Sequence, residues 1–295
     1  MAEATLSYRV TLPPHIRSAD SLARRSWGQL IALAPLYVSA CFTGHAEILR
    51  FLLVSLVSAT AFEFLAVKLF RKKENLGSGE TALAAALFSL LMPSRCPSEV
   101  VILGVFVAVF AAKELFGGTG SYLLQPLLLA RVFLQLCFPA VMSEPMLLTG
   151  EGNVWVLLAM GLGGILLLKQ KKGYWETPIL FMAVCFLCEA LLGGREMPFV
   201  FFSGVLLTAF FLLADPATLP LSRKGTVLFV LGAAFLSSRL NSEGFSIRSA
   251  SYAILLMNFL TPWLEVWLKP APYKAGHLFK ATCQFAGAEK KKGLE

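Results

Sequence analysis

Ser203 to Pro220 reads SGVLLTAFFLLADPATLP, an apolar run of about a dozen residues that opens on Ser-Gly and closes on Asp215-Pro216, with a second proline at Pro220. A helix of that length rises ~20 Å against a hydrocarbon core of ~30 Å, so the stretch predicts a broken element rather than a regular membrane span. An echo lies earlier in the chain. Ser78-Gly79 opens a second short apolar run, which ends on Met92-Pro93 and has its second proline at Pro97. Paired short or Pro/Gly-interrupted segments in two halves of a chain point to a site in an inverted-repeat membrane protein.

Composition agrees with this reading. Of 295 residues 57% are hydrophobic and 15% charged, with a mean hydropathy of +0.70, whereas soluble domains carry about 25% charge. The chain is therefore expected to be an all-α polytopic membrane protein. Residues 1–26 carry four arginines and no apolar core, so they read as a polar cytoplasmic tail and not as a cleavable signal. A net charge of +8 raises the question of nucleic acid, but the basic residues sit in the loops between apolar segments. They are read as topology, and no nucleic-acid partner is expected. Cys41, Cys137, Cys185 and Cys188 lie inside apolar segments, so no disulfide framework is indicated, and Cys185 and Cys188 are read as packing residues rather than metal ligands.

Ten apolar segments are predicted, at about 27–43, 47–69, 79–92, 98–116, 123–139, 153–169, 176–193, 198–214, 225–240 and 247–268. With the N-terminus placed in the cytoplasm, twenty of the 26 Lys and Arg fall on the inner side, five on the outer side and Arg131 within a segment. The positive-inside rule then places both termini in the cytoplasm. Superposing the two short segments exposes a repeat. Glu63 lies 15 residues before Ser78 and Glu189 lies 14 before Ser203, while Trp27 and Trp155 precede those glutamates by 36 and 34. The expected organisation is a first five-span repeat at 27–139, an external linker at 140–152, a second five-span repeat at 153–268 and a basic cytoplasmic tail at 269–295. Because five is odd, the second repeat is inverted relative to the first.

Ionisable residues within membrane segments are costly and are functional candidates. Glu63 and Glu189 come first, as pseudo-equivalent carboxylates able to bind or relay Na+ or H+, or to hydrogen-bond a neighbouring broken helix. Asp215 closes the second short run beside a proline, where carbonyls are left without amide partners. Asp215 and Thr218 are expected to hold the re-entry turn through side-chain to backbone bonds, with ion coordination as the alternative. Gly117, Gly118, Thr119 and Gly120 form a glycine-rich turn whose backbone can approach a phosphate or a planar ring. No Walker A, H-E-x-x-H or G-x-S-x-G pattern occurs in the sequence, so hydrolase and NTPase readings have no support.

From this loop onward AKELFGGTGSYLLQPLLLARVFLQLCFP, Ala112 to Pro139, resembles the membrane-subunit family shared by Na+-translocating NADH:quinone oxidoreductase, as its B component, and Rnf ferredoxin:NAD+ oxidoreductase, as its D component. Pro14-His15-Ile16-Arg17-Ser18, Ala214-Asp215-Pro216-Ala217-Thr218 and Met257-Asn258 match in the same order, and the Asp-Pro-Ala-Thr segment favours the Rnf D type. The resemblance implies a urea-transporter-like fold of ten spans in two inverted repeats. It also implies a multi-pass protein of a bacterial-type inner membrane, working with other subunits of a redox complex that moves Na+ or H+.

The resemblance further implies flavin, either FMN esterified to a threonine in the external linker or riboflavin near the glycine loop. At both places this sequence departs from the family. In the linker it reads Thr149-Gly150-Glu151-Gly152, with glycine where the attached threonine is expected, so the phosphothreonyl-FMN motif is not present; Thr149 and Ser143 are the remaining hydroxyls. After the glycine loop, Tyr122 and Gln125-Pro126 stand where the family has an Asn-x-x-Asn-Pro run. Gln125 keeps an amide and Tyr122 offers a ring to stack on. The alternative function is a stand-alone small-solute or flavin transporter of the same fold; a purely structural subunit is the third reading.

Overall fold

The computed structural model of the chain describes residues 22–42, 47–70, 79–118, 120–143, 154–170, 176–193, 199–213, 215, 217–240 and 245–268. Among them there is no strand; each of the ten predicted apolar segments is helical over most of its length. The helices are α1 (Leu22–Phe42), α2 (Glu47–Phe70), α3 (Glu80–Leu90), α4 (Ser98–Val105), α5 (Pro126–Cys137), the single turn α6 (Pro139–Met142), α7 (Val154–Gln170), α8 (Glu176–Cys188), α9 (Phe199–Leu207), α10 (Arg223–Arg239) and α11 (Ile247–Trp267). Three of them run on into π-helical turns: α4 through Phe106–Glu114, α8 through Glu189–Gly193 and α9 through Thr208–Leu212.

Both short apolar runs are short helices. Eleven residues of α3 rise about 16 Å. Gly79 precedes α3 in the left-handed region (φ +75°) with the Trp27 indole 3.1 Å from where a Cβ would stand, so the turn needs glycine on both counts. At its other end α3 stops before Met92-Pro93, and Pro97 starts α4. Helix α9 with its π-turn ends at Leu213, where the Leu213 amide donates to the Thr208 carbonyl (2.8 Å). Ser222 caps α10, and Ser246 with Ser249 forms a reciprocal cap on α11.

Helix α1 starts at Leu22, five residues before the predicted segment. Arg24 and Arg25 are exposed, so their charge lengthens the helix into the polar zone without entering the apolar packing. Helix α1 packs along α7, α2 along α3 and α4, α8 along α10, and α5 against α11. A Cβ at Gly163 of α7 would collide with the Ala32 carbonyl of α1, so these two helices approach backbone to backbone.

The surface of the molecule is more apolar than that of a water-soluble bundle. Leu53, Val57, Phe64, Leu136, Phe259, Trp263 and Trp267 are exposed, with Leu136 at 71% and Trp267 at 76%. Glu63, Lys113, Glu114, Arg131, Gln135 and Asn258 are buried. Large apolar side chains outside and ionisable groups inside are what a lipid solvent selects. By length and composition, Glu47–Phe70 is the one described helix that is long and apolar enough by itself to cross a membrane. Several others are short or interrupted, and the interruptions are where the polar residues collect.

Candidate functional site

The glycine loop follows directly from the π-helical end of α4. Gly117, Gly118 and Gly120 all take positive φ (+112°, +96° and +82°). The Gly118 amide donates to the Lys113 carbonyl (3.0 Å) and the Gly117 amide to the Glu114 carbonyl (3.2 Å). These two amides therefore close the helix and are not aimed at a ligand. Gly120 differs: a Cβ there would meet nothing within 4 Å, so its backbone faces open space.

That space is a cavity of about 220 Å³, walled by Arg25, Ser26 and Gln29 of α1, Glu80 and Leu87 of α3, Lys113, Gly120, Tyr122 and Gln125 of the loop region, and Phe211, Asp215 and Ala217 after α9. The start of one broken helix and the end of the other thus face the same cavity. Gln125 is 3% exposed, precedes Pro126 at the first turn of α5, and its Oε1 has no hydrogen-bond partner. A buried acceptor left open beside a cavity is a place for a ligand donor. The Tyr122 hydroxyl donates to Asp215 Oδ2 (3.0 Å). Burial, reinforced by the Asp215 charge, pushes that hydroxyl well above its usual pKa, so it stays a donor.

Asp215 performs the local task expected of it. Its Oδ1 accepts from the Ala217 amide (3.1 Å), and its carbonyl accepts from the Thr218 amide (3.3 Å) and hydroxyl (3.4 Å). The Thr261 hydroxyl of α11 in turn donates to the Thr218 carbonyl (3.4 Å). The turn after α9 is thereby tied both to the glycine-loop side and to α11.

Glu63 opens onto a charged cluster. Lys113 Nζ stands 3.8 Å from Glu63 Oε1, 3.7 Å from Glu80 Oε2 and 3.8 Å from Glu114 Oε1. These separations are ion-pair distances beyond direct hydrogen bonding, so three carboxylates share one ammonium at arm's length. Glu189 lies elsewhere: its Oε1 accepts from the Phe245 amide (3.0 Å), and it shares the neighbourhood of Cys188 with Arg239. Glu63 to Lys113 and Glu189 to Arg239 are both steps of fifty residues, so each glutamate has a cation at the same distance along the chain.

Sequence reading missed Lys113 as the partner of Glu63, and Glu80 and Glu114 as the other carboxylates around that lysine. Glu80 carried a signal, since it directly follows the Ser-Gly opening of the short run, and Lys113-Glu114 stand at the apolar end of the fourth segment. Their convergence depends on how α2, α3 and α4 pack. Thr119 and Thr149 lie outside the described residues. Ser143 is exposed just after α6, its hydroxyl bonded to the Ala140 carbonyl (2.9 Å).

Comparison with known proteins bears on the same residues. Residues 9–149 and 145–274 match the model of the NQR2, RnfD, RnfE family, and the junction of the two matches falls in the predicted linker. Among the relatives is the D component of the ion-translocating oxidoreductase complex of Methanosarcina acetivorans, 28% identical over 90% of this chain and 97% of the relative. The D component of the proton-translocating ferredoxin:NAD(+) oxidoreductase complex of Clostridium ljungdahlii is 24% identical over 92% and 99%. Its counterpart in the Na(+)-translocating ferredoxin:NAD(+) oxidoreductase complex of Acetobacterium woodii is 25% identical over 91% and 96%. With the family model covering both sides of the cavity and nearly the whole chain, this protein belongs to the NQR2, RnfD, RnfE family.

Proposed function

We propose that this chain is the D-type membrane component of an Rnf-like complex, which couples electron transfer from a reduced carrier to movement of Na+ or H+ across a bacterial-type inner membrane. The observation that carries the reading is the family match along both halves, together with a buried ionisable cluster in an otherwise lipid-facing bundle. On this reading the ten helical segments are ten spans in two inverted repeats with both termini cytoplasmic. The pairing of α1 with α7 and of α5 with α11, each a match of corresponding segments, supports that arrangement. Other subunits of the complex are the partners.

Glu63, Glu80 and Glu114 around Lys113 hold the transported ion on one side, and Glu189 serves the other half. Relatives of 24% and 25% identity bear different ions in their names, so similarity leaves the choice between H+ and Na+ to this cluster. The cavity suits a non-covalent flavin ring, FMN or riboflavin, held by Gln125 as acceptor, with Gly120 leaving room and Tyr122 and Phe211 at the walls. Such a group would supply one-electron chemistry beside the Lys113 cluster. Tyr122 keeps its proton, hydrogen-bonded to Asp215, Gln125 orients the ring edge, and Phe211 and Leu87 offer apolar surface at the wall.

Co-purification is the direct test. The solubilised chain is expected to bring flavin or iron–sulfur proteins with it; consistent isolation alone would overturn the complex reading. Glu63→Gln is expected to lower redox-driven ion uptake at least tenfold while the complex still assembles. Unchanged uptake would remove Glu63 from the pathway. A dark polypeptide band under ultraviolet light after denaturation, with a flavin spectrum in the native protein, would support the non-covalent site; a fluorescent band would redirect attention to Thr149 or Ser143.

A further inference from the structure

At its Ser222 end α10 carries two adjacent cations, Arg223 and Lys224, and both border an open groove of about 600 Å³ whose remaining walls are Val227, Leu228, Leu231 and Leu268. Val227, Leu228 and Leu231 follow the cations by one to two turns on one face of α10, and Leu268 comes from the end of α11. The walls are thus apolar along the groove and cationic at one end.

The two cations are not equivalent. Arg223 is taken up by Glu176, its Nε donating to Oε2 (3.2 Å) and its Nη2 to Oε1. Glu265, on α11, accepts from the Leu221 amide (3.2 Å). Lys224 is exposed and has no carboxylate partner among the described residues. Moreover, both cations occupy the first turn of a 17-residue helix with no acidic residue there, where the helix dipole is itself positive. Two cations in that turn oppose the dipole, and an anion at the same point relieves both.

We propose that this groove holds a phospholipid with an anionic headgroup, its phosphate on Lys224 and one acyl chain along Val227, Leu228 and Leu231 against Leu268. The inference rests on the membrane reading of the chain and on charge complementarity: a basic end on an apolar slot between two helices matches an anionic lipid and not a zwitterionic one. A helix of another protein would need only the apolar wall and would leave the ammonium without a counter-charge.

The test uses the full chain, with whatever proteins accompany it, extracted into mild detergent from membranes first washed with alkaline carbonate. After exposure to an equal mixture of phosphatidylglycerol and phosphatidylcholine, native mass spectrometry is expected to show phosphatidylglycerol retained preferentially. Lys224→Gln should reduce the preference about fivefold. Leu231→Trp, which fills the slot and leaves the charge, should abolish retention of either lipid. Both positions lie on the groove wall rather than in the packed core, and elution as a single species checks that each variant is folded. Equal retention of the two lipids by the unaltered protein, or a preference unchanged in both variants, overturns the proposal. So does efficient cross-linking of Leu228→Cys to a second polypeptide, which would assign the groove to a protein partner. Release of the chain by the carbonate wash would instead overturn the membrane reading.

Discussion

The two broken helices end in opposite ways. At the end of α3 a buried cation does the work: Arg131 of α5, 4% exposed, donates through Nη1 to the Leu91 carbonyl, while the Tyr37 hydroxyl donates to the Ala86 carbonyl (2.7 Å) one turn earlier. At the end of α9 the residue is a carboxylate, Asp215, whose two oxygens draw in the Ala217 amide and the Tyr122 hydroxyl. Both ends face the same requirement, a last turn of carbonyls with no amides to meet them in an apolar setting. A cation answers the carbonyls directly and agrees with the helix dipole. A carboxylate cannot, so it gathers donors from the following turn and from the glycine-loop side instead. The α3 end is consequently a plug, and the α9 end is a turn exposed to the cavity.

The contrast is open to measurement. Arg131→Leu removes the charged donor and strands the Leu91 carbonyl, and is expected to cost about 3 kcal/mol of stability, read as lowered thermal stability in detergent. A cost near zero would remove the plug from the account. Asp215→Ala is expected to cost about 2 kcal/mol, whereas Asp215→Asn, which keeps one acceptor oxygen for the Ala217 amide, costs about half of that. Equal losses for the two variants would show that charge, and not hydrogen-bond geometry, holds the turn. Tyr122→Phe should cost about 1.5 kcal/mol and speed amide exchange at Ala217 and Thr218 while leaving the α3 end unaffected. Smallest is Thr261→Val, below about 1 kcal/mol, since the Thr261 hydroxyl also donates back to the Met257 carbonyl (3.2 Å). A larger loss there would mean that α11, rather than the glycine-loop side, anchors the α9 turn.

Much of the architecture was legible from punctuation. Gly79, Pro93, Pro97 and Pro126 stand at helix limits because each frees or restricts φ or lacks a donor, whereas the second Ser-Gly, Ser203-Gly204, lies inside α9 and marks no limit. The π-helical turns were not legible, since i to i−5 bonding leaves no trace in an apolar run. Of the residues singled out in the sequence, Tyr122, Gln125 and Asp215 line one cavity. Lys113 as a hub was not found, because its partners Glu63 and Glu80 come from separate helices and their convergence is a property of packing. Arg131 stood out as the one basic residue far from the ends of a segment, yet its partner is a backbone carbonyl forty residues away, which no side-chain pattern reveals.

The contact between Gly163 and the Ala32 carbonyl has a mechanical consequence. Where the Ala32 carbonyl occupies the place of a Cβ there is no rotamer to adjust and no methylene to compress, so the spacing of α1 and α7 is fixed at that level. Bulk introduced there, as in Gly163→Ala, would have to part the two helices before anything else could shift.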